Sequence, residues 1–246
     1  MTAPTIRPDA TVGGGPVMVA PSVLAADALA LRSEIGRVAN ADYLHVDIMD
    51  GEFVRDLTWG PHTVGAMASL GIPVEVHVMV ENPELWAGPF IEAGARRFTF
   101  HVEAAADPER LRADVAARGV EAGLAVSPHT DLETVFPLAG RFDSLLVMTV
   151  VPGKGGSPML TGAPVRCAHA RSLIDSCPEG QPQLCVDGGV NADTISSLAA
   201  VGVESFVSGT GVFGSETPDE QVDRLRRLAL DARAAGLRAA DWPLPR

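Results

Sequence analysis

Apolar residues gather in eight short runs along the chain, at 17–21, 43–48, 74–79, 97–102, 122–126, 144–149, 184–187 and 205–208. Runs of four to six residues, bounded by Gly, Pro or polar residues, read as strands. After each comes a turn and then a stretch with apolar residues at helical spacing, clearest at 27–38, 83–93, 108–118 and 192–201. Asp107 ahead of Pro108 predicts an N-cap with proline at the first helical position. Asn82 and Asn191 are placed to cap in a similar way. Strand alternating with helix means parallel pairing, because the crossover helix carries the chain back to the same end of the sheet. Eight such units in 246 residues predict a closed (β/α)8 barrel. An open doubly wound sheet is the alternative that the same alternation allows. No composition break marks a second domain, so the barrel is expected over 17–235, with a flexible lead-in at 1–16 and a tail at 236–246.

In such a barrel, chemistry belongs at the C-terminal ends of the strands. His45 and Asp47 lie two residues apart on the second run, so both side chains point to the same side. His77 sits near the end of the third run and Asp187 ends the seventh. Each alone is explained by a hydrogen-bonded core residue. Four such groups, all at strand ends, would each need a separate partner inside a packed core. Two imidazoles and two carboxylates suit Zn2+, Mn2+ or Fe2+; a metal-free polar network is the alternative. Two carboxylates beside a cation also suggest a reaction. One would remove a carbon-bound proton from one face, the other would deliver a proton to the opposite face, and the cation would stabilise the enediolate between them.

Three glycine-bearing turns follow the last three strands: Gly153, Lys154, Gly155 and Gly156; Gly188 and Gly189; and Gly209 with Thr210 and Gly211. Glycines let backbone N–H groups approach a phosphate closely, and barrels often hold phosphate at these loops. The net charge of −12 gives no basic patch for a nucleic-acid partner. No apolar run reaches the roughly 18 residues of a membrane helix, and residues 1–16 lack the apolar segment of a signal peptide. Cys167, Cys177 and Cys185 have neither zinc-site nor disulfide-framework spacing, and a cytoplasmic protein is expected.

From about Val19 to about Leu230 the chain resembles the ribulose-phosphate 3-epimerase family. The resemblance rests on Pro21 to Asp27, His45 to Gly51, His77 to Val80, Phe100 to Ala104, Met148 to Val150, the Pro-Gly-x-Gly-Gly turn at 152–156, Val186 to Val190 and Val207 to Thr210. It implies a TIM barrel of the ribulose-phosphate-binding type, acting as an isomerase of the pentose phosphate pathway. It further implies one divalent metal ion per subunit on His45, Asp47, His77 and Asp187, with Asp47 and Asp187 as the acid/base pair. Ser22 and His77 would contact substrate, and Met49, Met79 and Met148 would line the space around the reacting carbons. The backbone of 153–156, with Gly188, Gly189, Gly209 and Thr210, would hold the phosphate. The expected partner is a phosphorylated ketose, and a homo-oligomer is expected.

The chain departs from the family pattern at Glu52, Arg55 and Asp56, at the Ser127-Pro128-His129 turn, and at Lys154 and Ser157. All lie in loops at the catalytic end, where substrate specificity resides. The leading expectation is interconversion of D-ribulose 5-phosphate and D-xylulose 5-phosphate. The alternatives are the same chemistry on another ketose phosphate, such as a hexulose 6-phosphate, and a non-catalytic sugar-phosphate binding module. Lys154, the sole lysine, either reaches the substrate phosphate or stands solvated at a loop tip.

Overall fold

A computed structural model describes residues 15–235. The expected lead-in and tail therefore lie outside the described residues, apart from Gly15 and Pro16. Eight parallel strands run β1 (Met18–Pro21), β2 (Leu44–Met49), β3 (Val74–Met79), β4 (Arg97–His101), β5 (Glu121–Val126), β6 (Ser144–Met148), β7 (Gln183–Asp187) and β8 (Ser205–Ser208). They pair in the order β1-β8-β7-β6-β5-β4-β3-β2, and a parallel bridge between Ser22 and His45 links the two ends of the sheet. The result is a nearly closed barrel, and the open doubly wound sheet is set aside. Strand limits differ from the sequence expectation by a residue at most, the usual play of element ends.

The helices among the described residues are α1 (Leu31–Gly36), α2 (Pro61–Ala68), α3 (Ala87–Glu92), α4 (Pro108–Ala116), α5 (Leu132–Ala139), α6 (Ala163–Asp175), α7 (Ile195–Ala200), α8 (Thr210–Phe213) and α9 (Pro218–Ala234). The Asp107 cap forms as expected, its carboxylate accepting from Arg110 N at 3.0 Å. All four expected helices are shorter: α4 ends two residues early, and the other three are cut back for local reasons. Asp27 accepts from Leu29 N, folding 27–30 into a turn before α1. The 83–93 stretch splits into a 3₁₀ turn at Pro83–Leu85 and α3, because Pro89 has no N–H to give Leu85 and its ring crowds that carbonyl. Asn82 makes no side-chain cap bond. Asn191 caps no helix either: its side chain accepts from Asp193 N, and Thr194 flanks α7.

The strands divide their side chains by strict alternation. Val46, Ile48, Val76, Val78, Phe98, Phe100, Leu124, Val147, Val186 and Phe206 belong to the large core between sheet and helices. The other face of the same strands fills the barrel interior, where Met18, Ala20, Ala125, Leu146, Met148, Cys185 and Val207 form a smaller cluster. Near the N-terminal ends of the strands, that interior is polar. Arg97 of β4 donates to Glu121 from Nε at 2.8 Å, and its other amine donates to Gln183 at 3.1 Å. The Arg97 guanidinium also lies 4.7 Å from the centre of the Tyr43 ring, a cation–π contact. Cys167 and Cys185 are buried, and burial pushes both thiols up to about 12, so neither is a nucleophile at neutral pH.

Candidate active site

Because β2 and β3 pair in register, Asp47 stands beside His77, and His45 beside Glu75. Asp187 reaches in from the end of β7, next to Met148 of β6. One donor atom each from His45, Asp47, His77 and Asp187 comes to within 4.8 Å of the others. His45 Nε2 is 3.3 Å from Asp47 Oδ1 and 3.9 Å from Asp187 Oδ2. His77 Nδ1 is 3.1 Å and 3.5 Å from the same two oxygens. Four ligands at ~2.1 Å from a central ion have edges of about 3.4 Å. The four His–carboxylate separations, 3.1–3.9 Å, bracket that edge, so this group of donors could hold a divalent cation.

The electrostatics are set by this crowding. Burial alone would raise the Asp47 carboxyl, but the charge and hydrogen bonds of His45 and His77 hold it far below the usual carboxylate range. Burial disfavours the charged form of both histidines. Asp47 with Glu75 around His45, and Asp187 with Asp47 around His77, outweigh that and push both rings up. Ser22 fixes the second Asp47 oxygen, its hydroxyl donating to Oδ2 at 2.6 Å.

Glu75 is a residue that the sequence reading missed. It is 2% exposed, accepts from Thr99 Oγ1 at 2.8 Å, and lies 3.5 Å from His45 Nδ1. Burial raises its pKa, but Arg97 and then His45 and Thr99 prevail, taking it from 4.5 down to about 2. A carboxylate with a depressed folded-state pKa stabilises the fold above its unfolded value, and that contribution fades as pH falls. The shift corresponds to about 3 kcal/mol, lost between roughly pH 4.5 and 2. Urea unfolding of the metal-free protein at pH 7, 5, 4 and 3 is expected to show this fall, with a shallower fall in Glu75→Gln. Equal slopes in the two proteins would mean that Glu75 is not held ionised by these partners.

Above the cluster opens a cavity of 440 Å3. Ser22, Met49, Met79, Met148, Asp47 and Asp187 line its floor and walls, and residues 153–156, Gly188, Gly189, Gly209 and Thr210 line its far side. His45 and His77 lie beneath the floor, fully buried. His77 is therefore among the donors but not in the cavity lining. Gly188 and Gly189 have φ of +118° and +65°; a Cβ on the first would meet Val150 at 2.4 Å, and on the second Met159 N at 2.4 Å. That turn needs glycine at both positions. Of the departures, Asp56, Lys154 and Ser157 line the cavity, whereas Glu52, Arg55 and His129 do not.

Eight parallel strands with polar chemistry collected at their C-terminal ends, under a glycine-rimmed cavity, define a barrel enzyme. The Ribulose-phosphate 3 epimerase family matches residues 18–213. The ribulose-phosphate 3-epimerase of Mycobacterium tuberculosis is 43% identical over 219 residues, covering 88% of this chain and 94% of that protein. That of Mycobacterium leprae is 42% identical over 215 residues, covering 86% and 95%. The fold is similar to that of KGPDC from Streptococcus mutans, with a TM-score of 0.65 at 14% identity over 88% of this chain and 99% of that one. The chain belongs to the ribulose-phosphate 3-epimerase family, and is an isomerase, an epimerase acting on carbohydrates. Among the described residues no helix is long and apolar enough to cross a membrane.

Proposed function

We propose that this chain is a metal-dependent 3-epimerase interconverting D-ribulose 5-phosphate and D-xylulose 5-phosphate, with Asp47 and Asp187 as its acid/base pair. The observation that carries this reading is the cluster of His45, Asp47, His77 and Asp187, whose two carboxylates also line the cavity. A bound Zn2+, Mn2+ or Fe2+ would supply Lewis-acid stabilisation of the negative charge that develops on the substrate oxygens. Asp47 comes from β2 and Asp187 from β7, separated by β1 and β8, so the two carboxylates approach a substrate carbon from different sides. One removes the C3 proton and the other returns a proton to the opposite face, with the roles exchanged in the reverse direction. Ser22 holds Asp47 by one oxygen and limits its rotation. Met49, Met79 and Met148 wall the reacting carbons with side chains that offer no proton. The backbone of 153–156, Gly188, Gly189, Gly209 and Thr210 receives the phosphate.

A second reading has one observation behind it: Asp56, Lys154 and Ser157, three of the departures, line this cavity. They support a different ketose phosphate, such as a hexulose 6-phosphate, for the same chemistry. A panel of ketose phosphates assayed in D2O with the metal-loaded protein tests both readings. Ribulose 5-phosphate is expected to give xylulose 5-phosphate carrying solvent deuterium at C3. A higher kcat/KM on a hexulose 6-phosphate would replace the substrate, and no turnover of any ketose phosphate would overturn the reading.

A further inference from the structure

His77 turns one ring nitrogen, Nδ1, toward Asp47 and Asp187. Its other nitrogen, Nε2, faces His101 Nε2 of β4 at 3.0 Å. The rings are stacked, with centroids 5.1 Å apart and planes 26° apart, and neither is exposed. At that distance two N–H groups would collide and two lone pairs would repel, so one proton lies between the rings. Which ring owns it is decided from the far side of His101. There Nδ1 lies 3.1 Å from Glu103 Oε2, and an ionised carboxylate only accepts. His101 therefore carries its proton on Nδ1, and as a neutral, fully buried imidazole it presents a lone pair at Nε2. The shared proton belongs to His77 Nε2, so Nδ1 is the nitrogen left for a cation: without one it shares a proton with the Asp47 and Asp187 oxygens, and a bound cation takes that proton's place.

Glu103 is itself anchored. Its other oxygen accepts from Ser127 N at 2.8 Å and from the Thr130 hydroxyl, both in the loop after β5. Arg166 of α6 donates to the carbonyls of Ser127 and Thr130, at 2.9 and 2.7 Å. Phe53 closes over the other side of His101, its ring centroid 4.9 Å away.

We propose that Glu103 and His101 are positioning residues that lock His77 in its Nε2–H tautomer and so present its Nδ1 to the divalent cation. The inference rests on the reading of His77 as a ligand. It gives the loop after β5 a route to the metal site, through Glu103, without touching substrate. Outer partners of this kind change metal affinity by about 10- to 100-fold when removed.

The test joins a spectroscopic signature to a binding measurement. Long-range 1H–15N spectra of the histidine rings, in the metal-free and the zinc-loaded parent, report which nitrogens carry protons. His77 is expected to carry a proton on Nε2 in both, and His101 on Nδ1. Zinc affinity, by competition with a chromophoric chelator, is expected to fall about 10- to 100-fold in His101→Phe and in Glu103→Ala. It is expected to recover only in part in Glu103→Gln, whose single amide oxygen can accept from His101 but then turns its NH2 toward the Ser127 N–H. Near-UV circular dichroism of each variant identifies any that fail to fold, and the spectra of the parent then decide. A bare Nε2 on His77, or folded His101→Phe and Glu103→Ala binding zinc within threefold of the parent, would overturn the proposal. If the parent and a His77→Ala control both bound no zinc, the ligand reading would fall on its own. The ring spectra of the metal-free parent would still accept or reject the tautomer lock.

Discussion

Asp187→Asn is expected to lower kcat for epimerisation at least ~100-fold, the loss typical of a general acid/base group. The substitution keeps the shape of the side chain and an oxygen for the cation, but an amide neither takes up nor delivers a proton at working pH. Asp47, held by Ser22 and the two histidines, is untouched. The variant should therefore still exchange the C3 proton of one epimer with solvent, while the other epimer becomes inert. Proton NMR in D2O distinguishes the two epimers and reads each exchange rate separately. Equal residual exchange from both epimers would point to a single base serving both faces, and an unchanged kcat would remove Asp187 from the chemistry.

His45→Ala is expected to strip the cation and the activity together. It removes one of four donors and leaves Glu75 buried without the imidazole that helps keep it ionised. Element analysis of the parent after gel filtration should give one divalent ion per chain, and of the variant far less, with kcat falling in parallel. A variant that retained both its ion and its rate would show that the cation sits elsewhere or is not needed. This substitution spares His101 and Glu103, so it tests the donor set apart from the tautomer lock.

Much of this arrangement was legible in the chain because both signals are periodic. Strand-length runs alternating with helical stretches gave the barrel, and polar residues at run ends gave His45, Asp47, His77 and Asp187. The deeper partners were hidden by the same averaging. Glu75, Arg97 and Thr99 sit inside runs that read as strands, and nothing local reveals whether a polar residue there faces water or a buried partner. A signal was present: Glu75 and His77 alternate on one strand, as do Arg97, Thr99 and His101 on the next. Three polar residues at period two mark a polar face, and in a barrel with helices outside, that face can only be the interior. Which nitrogen of His77 looks at which neighbour depends on ring rotation, which no sequence pattern encodes. The helix ends were missed where side chains compete with the helix for backbone groups, as Asp27 and Asn191 do.

The two-residue alternation of β2 and β3 also constrains how this chain can change length over generations. Inserting or deleting one residue ahead of His45 within β2 would turn His45 and Asp47 outward into the helix layer and bring apolar neighbours, Leu44 and Val46 or Val46 and Ile48, to the cluster. Such an event would cost the cluster and the outer core at once, and no single later substitution would repair it. Length changes are therefore expected only in the connecting loops. Insertional mutagenesis across the gene should recover active enzyme from insertions in connections away from the cavity and none from insertions within the strands.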